Sequence, residues 1–369
     1  MMEKVRLKDV ACFSKGQQIN GDQLIEDAQY DYLNGGISPS GRWVDYNVDG
    51  NTITISEGGN SCGYVNYMQE PFWCGAHCYY LYDSKLNNKY LYYALKSQED
   101  KIMKLRSGAC MPNIKKSDLG NFEFFVNTDA HVQSDIVFSL DKLTDLIDKR
   151  KLQLSKLDEL VKARFVELFG NAKNKVAVSE MCNVTGGYSF KSGDISNDGA
   201  IKILQIGNVY LDNVNWDTIN YLPEGYDEKY SRFLLNEGDI VVALTRPIIQ
   251  SLGNVKACIV KSSDLPCLLN QRVGRIVPKE YKSVLLEFVY GCLMTDDFTR
   301  YVESCSIGCS QPNISTKDIE NYLIPNATYE EQTEYVEFKR QTDKSKLEIQ
   351  KSLEKLEILK KALMQKYFG

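Results

Sequence analysis

The segment GACMPNIKKSDLGNF at residues 108–122 returns as GCSQPNISTKDIENY at 308–322, with Gly108/Gly308, Pro112/Pro312, Asn113/Asn313, Ile114/Ile314, Asp118/Asp318 and Asn121/Asn321 identical. Six identities in fifteen positions stand against about one expected between unrelated stretches of average composition. Leu119/Ile319 and Phe122/Tyr322 keep the same chemistry. At an offset one residue shorter, LSKLDELVKARFVELFG (154–170) matches LEKLEILKKALMQKYFG (353–369) at eight of seventeen positions. Self-similarity of this kind decides the architecture before any local propensity is weighed. The chain consists of two copies of one plan, a globular part followed by a long helix.

The helices are legible from their period. Residues 129–170 hold no Gly or Pro before Gly170, and Ile136, Leu140, Leu143, Ile147, Arg150, Leu154, Leu157, Val161, Arg164 and Leu168 alternate steps of four and three. This is a heptad seam with two Arg interruptions, the pattern of a helix that packs along a helical partner. The second helix, 328–368, keeps the seam at Ile349, Leu353, Leu356 and Leu363, whereas Lys339, Thr342 and Lys346 occupy it upstream. Its first half is therefore expected to pack less tightly. A helix lying on its own globular part is the alternative reading.

The globular parts read as mixed α/β. In the first, NTITIS (51–56) and HCYYLYD (77–83) are strand-like and NKYLYYALKSQEDKIMKLR (88–106) is an amphipathic helix ended by Gly108. In the second, DIVVAL (239–244), ACIV (257–260) and VGRIV (273–277) are strands, followed by a helix near 283–303. Polar loops rich in Gly, Asn and Ser lie between them, FSKGQQINGD, LNGGISPSGRW and SEGGNSCGY in the first copy, TGGYSFKSGD, IGNVYLDN and TRPIIQSLGN in the second. The expected organisation is 1–128, globular; 129–170, helix; 171–326, globular; 327–369, helix.

Composition narrows the function. The 369 residues are 43% hydrophobic and 25% charged, ordinary globular proportions, and no run of eighteen apolar residues or apolar N-terminal leader occurs. A cytoplasmic location without membrane association is expected. Lys+Arg 44 against Asp+Glu 49 gives a net charge of −5, so no segment provides a strong phosphate-neutralising field. The 11 cysteines are odd in number and scattered, which fits buried reduced thiols; the CxxxC pairs Cys74/Cys78 and Cys305/Cys309 fall short of a four-ligand zinc site. With His77 and His131 as the complete histidine set, a His-based triad or multi-His metal centre is disfavoured.

Catalytic motifs are missing as well. An amino-methyltransferase loop needs a Pro-Pro pair beside its Asn, Asp or Ser, and the chain has none. No G-x-x-x-x-G-K-[ST] phosphate loop occurs, and GGNSCG (58–63), which lacks a following Lys, reads as a turn. Neither catalytic residues nor metal or cofactor sites are expected in this chain.

Two divergent globular regions, each closed by G-x-x-x-P-N-I-x-x-x-D-[LI]-x-N-aromatic and each followed by a related helix ending in Phe-Gly, resemble the specificity subunits of type I restriction-modification enzymes. The resemblance covers essentially the whole chain. It implies two target-recognition domains separated by two long helices in an antiparallel coiled coil, related by a pseudo-two-fold axis. It also implies a non-enzymatic role: reading double-stranded DNA for two methyltransferase subunits and, in systems that cut, two restriction/motor subunits. S-adenosylmethionine, ATP and Mg2+ would be held by those partners. Helices of about 40 residues at about 1.5 Å per residue span on the order of 60 Å, enough to hold two reading heads more than one duplex turn apart. Since the loops of the two copies differ, the target is expected to be bipartite and asymmetric.

Loop residues with donor groups are the candidates for DNA contact: Lys15, Gln17, Asn34, Ser38, Arg42, Asn60 and His77 in the first copy; Tyr188, Lys191, Asn208, Arg246, Gln250, Asn270, Gln271 and Arg272 in the second. Arg suits guanine and Asn or Gln suits adenine by bidentate geometry. The matching Pro-Asn-Ile segments are expected to be structural, because identical residues would not read two different half-sites. An interaction scaffold without DNA function and an enzyme with an unrecognised site are the rival readings.

Overall fold

The computed structural model describes residues 2–108, 112–249, 251–305 and 313–369. It divides into two compact units, Met1–Gln153 with Ile349–Gly369, and Leu154–Glu348, so both boundaries fall inside the long helices Ala130–Phe169 and Tyr329–Phe368.

In the first unit a four-stranded antiparallel sheet runs in the order Cys12–Lys15, Cys78–Tyr82, Thr52–Ser56, Val65–Met68. The β-branched strand Thr52–Ser56 is buried along its whole length, as a central strand covered on both faces must be. A smaller sheet, Gly41–Trp43, Tyr30–Leu33, Phe72–Cys74, ends in a parallel pair, and Met2–Arg6 pairs with Glu123–Asn127. Helix Asn88–Ser97 starts where Asn87 accepts from the Lys89 and Tyr90 amides, and it buries Leu91 and Leu95 in the core with Ile53, Ile55 and Leu81.

The second unit repeats this plan. Cys182–Gly186, Val273–Pro278, Ile240–Ala243 and Ala257–Ile259 form its antiparallel sheet. Asn220–Leu222, Ile201–Leu204 and Cys267–Leu269 form the smaller sheet, again ending in a parallel pair. Lys175–Ala177 pairs with Leu323–Pro325. The mixed α/β class and the doubling read from the sequence are thus both present.

Two helix expectations are corrected. The 88–106 helix is two pieces, Asn88–Ser97 and Glu99–Met103, broken at Gln98, whose side-chain amide donates to the Phe368 carbonyl (2.8 Å). The 283–303 helix is likewise divided into Leu286–Leu293 and Asp296–Cys305. There the Thr295 hydroxyl donates to the Cys292 carbonyl (2.8 Å) and accepts from the Phe298 amide (3.3 Å), ending one helix and capping the next.

Each unit contains the start of one long helix and the end of the other. In the first, Ile136 and Leu140 share a core with Phe368, whose ring lies 5.2 Å from Tyr90. In the second, Phe165 and Phe169 meet Tyr335 and Phe288, with centroids 5.3 Å apart for Phe165–Tyr335 and 5.0 Å for Phe169–Phe288. Inside the second unit Arg164 pairs with Glu334 and Lys346 with Asp158, partners that run in opposite chain directions, so the two helix segments are antiparallel there. These ion pairs account for Arg164 and Lys346 on the seams, whereas Arg150 donates to Gln153 (2.9 Å) and Lys339 pairs with Asp343 (2.7 Å), each along its own helix. The expectation of loose packing early in the second helix fails at its start: Gln332, Tyr335 and Val336 are buried, because they face the globular core as well as the other helix.

The nine described cysteines are free thiols, seven of them buried. Burial pushes Cys182 and Cys258 up to about 12, and the hydrogen bond to Cys78 together with burial raises Cys74. These are protonated packing groups at neutral pH. No described helix is long and apolar enough to cross a membrane.

Candidate nucleic-acid interface

In each unit four chain segments converge at one end of the four-stranded sheet, and the backbone bonds that join them are the same twice. The Gln17 amide donates to the Cys74 carbonyl (2.8 Å) as the Tyr188 amide donates to Leu269 (3.0 Å). The Glu57 amide donates to His77 as Leu244 donates to Arg272, both at 2.9 Å. Ile114 donates to Glu57 as Ile314 donates to Leu244, again at 2.9 Å. The recurrent Asn residues bridge to the equivalent turns, Asn113 to Gly58 and Asn313 to Thr245. The repeated Pro-Asn-Ile motif is therefore a structural fastener: Ile114 and Ile314 plug the cores and their amides close the junction.

Glycine is required where the first two segments touch. A Cβ on Gly16 would lie 1.9 Å from the Cys74 carbonyl oxygen, and one on Gly187 2.1 Å from that of Asn270. The next turn needs a left-handed residue, supplied by Gly59 at φ +75° in the first junction and by Arg246 at φ +47° in the second. GGNSCG is thus a turn, as read.

On this common frame the side chains differ. The first junction carries Lys15, Gln17, Asn60 and His77, all exposed. Glu57, 13% exposed at its side chain, pairs with Lys15 through Oε1, and its Oε2 lies 3.6 Å from His77 Nδ1. Lys15 Nζ stands 5.6 Å from the centre of the Tyr79 ring, and the Tyr79 hydroxyl donates to the Ile114 carbonyl (3.0 Å). The second junction carries Tyr188, Arg246, Asn270, Gln271 and Arg272. Tyr188 packs against Tyr230, Phe190 and Phe233 with centroids 4.8, 5.1 and 5.4 Å apart. Asn270, Gln271 and Arg272 also line a polar concavity of about 440 Å³ with Gln205, Asn215, Asp217 and Thr218.

Of the remaining candidates, Asn208 lines the same concavity and Asn34 touches the first junction. Both asparagines also brace the loops they sit in. Asn34 Oδ1 accepts from the His77 amide (3.2 Å), and buried Asn208 donates to the Asn215 and Thr218 carbonyls (2.9 and 2.8 Å) while accepting from the Gln205 amide (2.9 Å). Arg42 sits on the smaller sheet, 3.5 Å from Asp31. Ser38 and Lys191 are exposed loop residues away from the bonds that define the junctions, and Gln250 lies outside the described residues. Sequence reasoning missed Glu57, since the search was for donors. Among the described residues no group of three or more His, Cys, Asp or Glu could hold a metal ion.

Doubled recognition modules on paired long helices define a class of DNA-specificity proteins, and the chain belongs to the type I restriction modification DNA specificity family, whose model matches residues 1–156 and 172–360. It is similar to the type I restriction enzyme MjaVIII specificity subunit of Methanocaldococcus jannaschii, 31% identical over 298 residues, which span 76% of this chain and 69% of that one. In fold it matches the crystal structure of a type I restriction-modification S subunit from M. genitalium, with a TM-score of 0.65 and 21% identity over 100% of this chain and 96% of that one. A second match is to a chain from work on complex assembly and conformational transition of the type I R-M system, with a TM-score of 0.58 and 13% identity over 99% and 97% of the two chains.

Proposed function

We propose that this chain is the non-catalytic, sequence-reading subunit of a type I restriction-modification complex, and that it recognises a bipartite, asymmetric double-stranded DNA site through its two junctions. Each target-recognition domain, 1–128 and 171–326, reads one half-site. The carrying observation is that one backbone frame occurs twice with different exposed donors, Lys15, Gln17 and His77 on one copy and Tyr188, Gln271 and Arg272 on the other. Equivalent frames let both domains approach a duplex in the same way, and divergent side chains make the half-sites different.

The acidic balance of −5 makes this chain a poor phosphate binder by itself. Two methyltransferase subunits, joined in a cutting system by two restriction/motor subunits, supply the phosphate contacts and hold S-adenosylmethionine, ATP and Mg2+, all in the cytoplasm. The test is to map methylated adenines in the source genome with and without this gene. The expected result is loss of one bipartite motif. An unchanged methylation map, together with no sequence preference when the chain and its methyltransferase partner are offered DNA, would return the chain to a scaffold role.

A further inference from the structure

The two copies act as controls for each other, because a residue that the fold itself requires should recur at the equivalent position. Glu57 does not recur. Its backbone makes the bonds that Leu244 makes in the second junction, its amide to the residue 77 or 272 carbonyl and its carbonyl to the Ile amide of the fastener. The frame accepts an apolar side chain here, and Leu244 packs against the core of its unit. A carboxylate in a mostly covered position is costly unless it is paired. Glu57 has its partners on the surface side, Lys15 at Oε1 and His77 near Oε2. The residue equivalent to Lys15, one before the required glycine, is Gly186, so the ammonium too is an addition to the frame.

From this we infer that Lys15 is a specificity-determining residue that reads a guanine in the first half-site, with Glu57 as its positioning residue; the inference rests on the DNA-reading function proposed above. An ammonium has three N–H donors. One goes to Glu57, and the Tyr79 ring at 5.6 Å supports the side chain. Two donors are left for the adjacent acceptors N7 and O6, an arrangement that guanine alone presents in the major groove; adenine places a donor beside its N7, and thymine offers one acceptor and a methyl group. The Lys15–Glu57 pair carries no net charge, which suits a base edge better than a phosphate.

The test uses the full chain assembled with its methyltransferase partner, S-adenosylmethionine, and a duplex pool randomised across the first half-site with the second held fixed. Wild-type protein is expected to select guanine at one position of the first half-site. Lys15→Met and Glu57→Gln should each lower that selection by about 5- to 150-fold, equivalent to about 1–3 kcal/mol, and the double variant should lose no more than either single one. Lys15→Arg should keep guanine. Glu57→Leu copies Leu244 and so preserves the frame; it should melt no lower than wild type and still lose the guanine selection. A lower melting temperature with intact selection would make Glu57 a structural brace and overturn the inference. So would a wild-type first half-site without guanine, or guanine selection untouched in Lys15→Met. Absence of any half-site preference in the wild-type complex would instead overturn the underlying DNA-reading function.

Discussion

Arg246 occupies a left-handed turn at φ +47°, where the other copy has Gly59 at φ +75°. For a residue with a Cβ this backbone costs about 1–2 kcal/mol, and the repeat shows that the turn forms with glycine. An arginine at a glycine position of the proposed reading junction brings an exposed guanidinium there, and a DNA contact for it is a proposal with a direct test. Arg246→Gly relieves the backbone cost while removing the side chain's own contacts, and it is expected to weaken binding to the cognate duplex by about 1–3 kcal/mol. Competition between cognate and unrelated duplexes checks this: equal loss on both would make Arg246 a phosphate contact. At this scale the candidate site was partly legible. Lys15, Arg246 and Arg272 could be picked because their donors sit in polar stretches beside strand-like runs, and His77 because it opens one. Asn34 and Asn208 could not be told from readers, since an amide serves equally to bind a base or to brace a loop, and the choice depends on where His77, Asn215 and Thr218 come to lie. Glu57 stands out only by contrast with Leu244 at the equivalent position of the second junction.

Buried glutamines tie each long helix to the globular helix beside it. Gln133 accepts from the Asn87 amide (2.8 Å) and donates to the Asn127 carbonyl (2.8 Å); Gln332 accepts from the Leu285 amide (2.9 Å) and donates to the Ala327 carbonyl (3.0 Å). Both are nearly fully buried and both accept from the N-cap amide of a helix. Gln332→Leu leaves the Leu285 amide without its acceptor and should destabilise the protein by about 1–3 kcal/mol in denaturant titrations. Phe368→Ala removes a ring from the first unit's core and should lower stability by about 3–5 kcal/mol. A change below about 1 kcal/mol for Phe368→Ala would mean that the chain terminus does not anchor this unit. The elements themselves were legible where a period ran long. The 136–168 seam residues are turned away from solvent, Ile136 to Ile147 fully and Arg150 to Leu168 in part, although near the helix end Phe165 and Phe169, off the seam, are buried more deeply. The glutamines were not legible, because a polar residue just outside the seam looks solvated until the globular helix is placed against it. Nor were the breaks at Gln98, whose partner Phe368 is remote in sequence, and at Thr295, whose local bonds to Cys292 and Phe298 leave no mark on the apolar period.

Over the whole chain, the repeat gives each unit the start of one long helix and the end of the other, so a change of helix length enters both halves at once. The division between units falls after Gln153 in the first helix and after Glu348 in the second. Four residues added after Lys151 alone would extend one helix past an unchanged partner. They would also misalign contacts such as the Lys151–Glu357 pair at 3.6 Å, a surface pair worth about 0–1 kcal/mol, and more seriously the Ile349 and Leu353 seam positions. That variant should lose activity with its partners. Four residues added in both helices, after Lys151 and after Glu348, keep the register. At about 1.5 Å per residue they lengthen the pair by roughly 6 Å, and at 3.6 residues per turn they leave a residual rotation of about 40°. Along a duplex with about 3.4 Å per base pair this corresponds to nearly two base pairs. If the helices are the ruler between the two half-sites, methylation mapping of the paired insertion should show the original motif lost and the same two half-sequences recovered with a spacer longer by one or two base pairs. Altered half-sequences would indicate disturbed reading junctions, and an unchanged spacer with full activity would remove the helices from the measuring role altogether.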